Sequence, residues 1–268
     1  MKKVTDFIET QTKRNTYKTV KKKKKNLEKY GRIDFECLFL SDYDLEYCRG
    51  CKTCFDEGGE HCPIDDDRDI LLDKIEGSDG IVFATPNYAF QLSARMKNFL
   101  DRTAYMNHRP RYFDKAFTAI VTYGAFGGGS VVKYLSTAGE NLGFHVSKGC
   151  SVRTLEPMTE NSQEKLKKEV KKASDRFYRE LTIPEPPAPS FLRLAIFRMT
   201  RTSIESLDSS YRDYQYFSEK GWFDSDYYYP VKLWFPKKLV GYLSDFIGGR
   251  MLNRGKGVSL DKTDKEVN

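Results

Sequence analysis

Along the first 181 residues the apolar positions switch repeatedly between two spacings. Short runs rich in β-branched or aromatic residues occur at "KKVTDFI", "IDFECLFL", "GIVFAT", "AFTAIVTY" and "FHVSKGCSV", and read as five strands. Between them the spacing turns helical. Val131, Leu135, Ala138 and Leu142 share one face, as do Leu166, Val170, Ala173 and Phe177, while Leu92, Met96, Phe99 and Thr103 form a third stripe. Strands alternating with helices predict an α/β fold whose parallel sheet is covered on both faces. Asp6 interrupts the first strand, and Pro86 is expected to end the third.

The alternation places an α/β domain over residues 1–181. "TIPEPPAPS", residues 182–190, then reads as a proline-rich linker. Residues 191–268 form a different region: an α-rich, aromatic-dense C-terminal extension holding both tryptophans. In "LVGYLSDFI", Leu239, Leu243 and Phe246 line up with Val240 and Ile247 beside them, and "FLRLAIFRM" is comparably apolar. Such faces need cover. The chain's own α/β domain, a second subunit and a membrane surface compete for it. Packing on protein, across a homodimer, is the favoured expectation; a membrane surface comes second, because glycines and Asp245 interrupt the apolar pattern.

Composition narrows the class. With 39% hydrophobic and 31% charged residues, the chain reads as soluble and globular. No apolar run approaches the roughly 20 residues needed to span a bilayer. "MKKVTDFIE" carries an acidic residue where a signal peptide has its apolar core, so a cytoplasmic protein with reduced thiols is expected. The formal charge of +7 owes much to Lys21–Lys25, "KKKKK". Within a helix, these would form a solvated face, with one or two aliphatic stems lying along apolar surface and their ammonium groups reaching water. No zinc-finger or RNA-binding pattern accompanies the run, so nucleic acid is not expected as a partner.

In open parallel sheets ligands bind beyond the C-terminal strand ends. "ETQTKRNT", Glu9 to Thr16, offers hydroxyls, Asn15 and helix N-terminal amides suited to a phosphate monoester, although an ordinary N-cap by Asn15 or Thr16 would use the same residues. "TPNYAF", Thr85 to Phe90, offers polar edges and flat faces to a planar ligand. "TYGAFGGGS", Thr122 to Ser130, lets backbone approach a ligand closely. A fourth stretch, "CRGCKTCFDEGGEHCP", holds Cys48, Cys51, Cys54 and Cys62. A reduced compartment disfavours disulfides, which leaves zinc or an iron–sulfur cluster. Cys37 and Cys150 read as small core residues, and Asp65 to Asp67 as caps for the following helix.

Taken together, "TQTKRNT", the cysteine stretch with "IDDDRD", "SDGIVFATPNYAFQLSARMKNFLDR" and "TYGAFGGG" resemble the flavodoxin-like NAD(P)H-dependent FMN reductases, and among them the iron–sulfur flavoprotein group. The resemblance implies a doubly wound, five-stranded parallel sheet in order 2-1-3-4-5. It implies an FMN phosphate held by Thr10, Thr12, Asn15 and Thr16, and a flavin ring flanked by Pro86, Asn87, Tyr88, Ala89 and Phe90. Tyr123, Gly124 and Gly127 would close the other side. Cys48, Cys51, Cys54 and Cys62 would hold one 4Fe–4S cluster. Glu9 departs from the family, which usually has glycine there, and is expected to weaken flavin binding. The implied activity is electron transfer from NAD(P)H, or from reduced ferredoxin, through FMN to a small acceptor such as a quinone or another flavin, in a homo-oligomer. No side chain is assigned as catalytic acid or base. The alternative is a metal-binding or redox-sensing module without flavin.

Overall fold

The computed structural model describes residues 1–9 and 14–256, and only the backbone of residues 251–256. It divides into two units, Met1–Pro186 and Pro187–Asn268.

In the first unit the chain order is β1 (Lys2–Ile8), α1 (Asn15–Leu27), β2 (Ile33–Phe39), α2 (Thr53–Asp56), α3 (Arg68–Glu76), β3 (Gly80–Tyr88), β4 (Gln91–Leu92), α4 (Ala94–Arg102), β5 (Ala116–Tyr123), α5 (Gly128–Asn141), β6 (His145–Val146), β7 (Cys150–Arg153) and α6 (Glu160–Leu181). The parallel ladder runs β2-β1-β3-β5-β6, with β7 also pairing with β5, and this is the flavodoxin-like order that the resemblance implies. The expected fifth strand is two short segments. Gly149 lies between them with its backbone so close to Ala119 that a Cβ would stand 2.2 Å from the Ala119 carbonyl oxygen, and the strand breaks there.

Strand alternation sorts the core into two layers. Phe7, Phe83, Phe99 and Phe117 pack on one face of the sheet with ring centroids 5.0–5.9 Å apart, beneath α3, α4 and α5. Val4, Ile8, Val82 and Ala84 point the other way, towards Val20, Leu27 and Phe177 of α1 and α6. Asp6 shares this second parity and is fully buried. Its partner is Lys23, also buried, whose ammonium pairs with the Asp6 carboxylate. The expectation that core-side lysines reach water is therefore corrected. The sheet and α6 close over Lys23, and the acidic break in β1 supplies the counter-charge. Cys37 on β2 donates to the same carboxylate at 3.8 Å. Burial and that negative charge push its thiol up to about 11.

The third strand also differs from expectation. β3 runs through Pro86, which pairs in register with Thr122, and continues to Tyr88 because Asn87 and Tyr88 pair with Leu92 and Gln91 of β4. Leu92 thus belongs to a strand. The helix behind it starts at Ala94, after Ser93 accepts the Met96 amide as N-cap.

The second unit contains α7 (Phe191–Glu205), α8 (Arg212–Glu219) and α9 (Phe235–Lys256). Phe197, Phe217, Trp222 and Tyr228 form an aromatic cluster with centroids 4.4–4.9 Å apart, and the Trp222 indole donates to the Tyr228 carbonyl at 2.9 Å.

Candidate functional site

Three loops emerge at the C-terminal ends of β1, β3 and β5. Of the β1–α1 loop, Thr10 and Thr12 lie outside the described residues. The helix N-cap is Arg14, which makes no side-chain capping bond, so neither Asn15 nor Thr16 caps α1. Asn15 instead donates to the Thr154 carbonyl at 3.0 Å. The buried Thr16 hydroxyl meets that of Thr122, 2.8 Å away on β5. These bonds tie the start of α1 to the strands beside it. The half-buried Glu9 carboxyl is pushed above its ordinary range by burial, with Arg95 opposing that shift. Its Oε2 is buried and has no hydrogen-bond partner.

The β3–β4 connection is a two-residue hairpin whose central residues, Ala89 and Phe90, both have positive φ, 48° and 62°. Hairpins of this shape usually use Asn-Gly. Left-handed backbone at two side-chain-bearing residues costs about 1–2 kcal/mol each and is held by its surroundings. The turn thrusts Tyr88 and Phe90 into solvent. The β5–α5 loop meets it from the other side. Asn87 donates to the Phe126 carbonyl at 2.6 Å, while its Oδ1 is buried without a donor. Gly127, at φ 89°, is so close that a Cβ would stand 2.8 Å from both Asn87 Nδ2 and Phe90 Cδ1. Tyr123 is half-buried and Gly124 exposed. The second and third predicted loops thus come together, and exposed aromatic faces surround an unsatisfied amide oxygen.

The cysteine stretch is anchored from beneath by residues that sequence reasoning missed. Asn98 of α4 donates to the Leu45 and Glu46 carbonyls and accepts the Cys48 amide at 3.3 Å. One turn on, Arg102 donates to the Glu46 carbonyl, pairs with the buried Asp66 carboxylate and reaches the Cys62 sulfur at 3.8 Å. Arg109 donates to the Cys54 and Phe55 carbonyls, both at 2.8 Å, and Arg68 to the Gly59 carbonyl. The helix-cap reading of the aspartates holds for Asp66, which accepts the amide of Arg68, the first residue of α3, at 3.1 Å, and is extended by its other bonds, since Asp66 also accepts the Glu46 amide and neutralises Arg102. Asp67 occupies the N-cap without a side-chain capping bond and accepts the Asp44 amide instead. The i, i+4 spacing of Asn98 and Arg102 was the available signal.

Cys48 and Cys51 are exposed, while Cys54 and Cys62 are half-buried. The Cys54 thiol is pushed up by burial and then by Cys62, Cys48 and Cys51, whereas Thr53 donates to Cys51 at 3.4 Å and lowers it. The Cys48, Cys51 and Cys62 thiols thus lie within electrostatic range of Cys54. Among the described residues, however, no three His, Cys, Asp or Glu side chains are gathered as a metal-holding set.

Comparison with known proteins follows this geometry. The family model for NADPH-dependent FMN reductase matches residues 9–154, which spans all three loops and the cysteines. An iron–sulfur flavoprotein of Archaeoglobus fulgidus is 37% identical over 103 residues, 38% of this chain and 46% of that protein. One from Clostridioides difficile is 30% identical over 137 residues, 50% of this chain and 60% of that one. The chain thus spans about half the length of the curated relatives it matches. Among solved structures, RosB with a bound 8-demethyl-8-formylriboflavin-5'-phosphate intermediate superposes at TM-score 0.55 with 15% identity, covering 100% of this chain and 92% of that one. The azoreductase AzrA gives 0.51 at 13% identity, covering 65% and 98%. These two likenesses concern the fold.

Proposed function

The chain belongs to the NADPH-dependent FMN reductase family, and from that premise we propose that it is an FMN-dependent oxidoreductase passing electrons from NAD(P)H to a small acceptor. The observation that carries the reading is the junction of Asn87, Phe90 and Gly127, where two strand-end loops meet around a buried, donor-less amide oxygen. FMN fits that junction, since a planar ring can lie against Phe90 and Tyr88 while a ring N–H satisfies Asn87 Oδ1. Its phosphate would lie on the β1–α1 loop, held by Thr10, Thr12, Asn15 and the uncapped amides that open α1. Thr16, bonded to Thr122, would position that loop. Tyr123 and Gly124 would border the ring. When bound, FMN supplies the transfer of reducing equivalents, and the protein supplies orientation and exclusion of water. The acceptor belongs to the quinone or flavin class; one relative, 40% identical over 114 residues, 42% of this chain and 50% of that protein, is an NADPH:quinone oxidoreductase of Arabidopsis thaliana.

Cys48, Cys51, Cys54 and Cys62 would hold a 4Fe–4S cluster, with reduced ferredoxin as a second donor. The donor set fits in chemistry: four thiols, with the Arg102 guanidinium beside Cys62 and backbone clamps from Arg68 and Arg109. Ligation would need the exposed Cys48 and Cys51 to close on Cys54 and Cys62.

An absorption spectrum of anaerobically purified protein, with FMN, iron, sulfide and zinc assays, tests both readings. Flavin bands that disappear in Gly127→Val support the ring site, and full FMN retention in that variant would falsify it. Iron and sulfide lost from each Cys→Ser variant, with FMN retained, support the cluster. Stoichiometric zinc without sulfide rules it out and leaves a structural metal loop.

A further inference from the structure

α9 is packed the wrong way round for a helix in water. The side chains it buries are small or polar: Gly241, Ser244 and Gly248 face inward, and a Cβ at Gly248 would stand 3.5 Å from the Met199 backbone on α7. Asp245 points into the same seam, accepting from Arg198 at 2.6 Å, Arg201 at 3.0 Å and Thr202 at 3.2 Å. The large apolar side chains point out. Phe235 is 78% exposed and Phe246 60%, with Leu239, Leu243 and Ile247 each about half exposed. On α7, Leu192 is 70% exposed and Ile196 53%. The Lys237 ammonium lies 5.9 Å from the Phe191 ring, while Gly248 meets Met199 and Thr202, so the two helices run side by side in the same direction. Small residues and polar bonds inside, with apolar residues outside, is the packing of helices whose surroundings are lipid.

We propose that the outer face of α7 and α9 rests on an anionic lipid bilayer. Charge selects this occupant over a second copy of the chain. The two helices carry one carboxylate each within their described side chains. Asp245 is turned into the seam, and Glu205 ends α7. The exposed cations are Lys232 and Lys238, on either side of Trp234 and Phe235, and Arg250, stacked 5.0 Å over Phe246. Two copies meeting through this face would bring like charges together. Anionic headgroups would instead complement them, with aromatics and lysines at the interface depth that suits both. Gly241, Gly248 and Asp245, which in the sequence argue against a membrane face, lie on the inward side. Among the described residues no helix is long and apolar enough to cross a membrane, so the unit lies on the surface rather than spanning it.

The full chain provides its own reporter, because Trp234 is exposed and Trp222 buried. It should sediment with phosphatidylcholine vesicles containing phosphatidylglycerol, with Trp234 emission shifting to the blue, and bind vesicles of phosphatidylcholine alone roughly tenfold more weakly or worse. Leu243→Glu/Phe246→Glu should abolish binding. Lys232→Glu/Lys238→Glu, which alters only exposed charges, should weaken it roughly tenfold or more. Trp222 emission reports whether each variant is folded. Absence of vesicle binding by the unmodified chain overturns the proposal, and so does binding that neither variant changes. A stable dimer that Leu243→Glu/Phe246→Glu splits, with no vesicle response, would assign the face to a second copy instead.

Discussion

The two units put charge and apolar surface in opposite places. In the α/β unit, apolar side chains fill both faces of the sheet, and buried charge is held in pairs such as Asp6 with Lys23 and Asp66 with Arg102, or on backbone carbonyls as with Arg68, Arg109 and Lys115. In the helical unit, a charged seam of Arg198, Arg201 and Asp245 joins α7 to α9 while the large apolar residues face out. The difference teaches that apolar periodicity marks a face needing cover without saying what the cover is. For α5 and α6 it is the sheet. For α9 the cover is not supplied by α7, which takes the small-residue side.

The strongest test of this contrast is Lys23→Met. It leaves Asp6 buried without its counter-charge, and breaking such a pair should cost about 3–5 kcal/mol in urea unfolding followed by far-UV circular dichroism. Asp6→Leu/Lys23→Met should recover most of that loss, since an apolar pair of similar size fits an apolar layer; no recovery would mean the charge pair is itself required. In the helical unit, Asp245→Asn should cost less, about 2 kcal/mol, because Arg198 keeps Asp226 at 2.9 Å and the site is partly open to water. Trp222 emission follows that transition separately, as both tryptophans lie in this unit. A loss equal to that of Lys23→Met would erase the distinction between the two kinds of interior.

Smaller effects sharpen the picture within the α/β unit. Ala89→Gly should stabilise the protein by about 1 kcal/mol, measured by the same urea titration, because glycine adopts the left-handed backbone freely. A neutral outcome would show that the hairpin carries little strain. Smallest is the surface pair of Glu36 with Lys74 and Lys3. The hydrogen bond from Lys74 holds the Glu36 carboxyl below its usual range. A carboxyl depressed on folding contributes stability above its unfolded value near 4.5, and that contribution is lost as pH falls through the lower folded value. Glu36→Gln should remove this acid-side slope at a cost below about 1 kcal/mol at neutral pH, given the solvent around the pair.

The strands and helices were legible because their periods alternate from Lys2 to Leu181, whereas the order of the strands in the sheet came from the family resemblance and not from the pattern. The three loops were legible because glycine, proline, threonine and asparagine collect at strand ends. Pairings across the fold were not. Asp6 read as a flaw in a strand and Lys23 as one of five surface lysines; only the parity of β1 against α1 joins them. Asn98 and Arg102 were hidden for the same reason, since the groups they hold, the carbonyls of Leu45 and Glu46 and the Asp66 carboxylate, lie 36 to 56 residues away in the chain. The direction of α9 was not legible: Leu239, Leu243 and Phe246 read as the face needing cover, whereas the fold turns Gly241, Ser244 and Gly248 inward, because the seam with α7 is closed by the bonds of Asp245.

The break at Gly149 has a consequence for self-association. A sheet edge is a template on which another chain can add a strand, and long flat edges invite aggregation. At the β6–β7 side the edge comes in pieces of two and four residues, too short and too offset to offer a continuous ladder. The opposite edge, β2, is seven residues long and unbroken, and its safeguard is chemical: Asp34 and Glu36 alternate along it. Neutralising those two carboxylates would leave one open template on the sheet, and refolding at high concentration would then join molecules through β2.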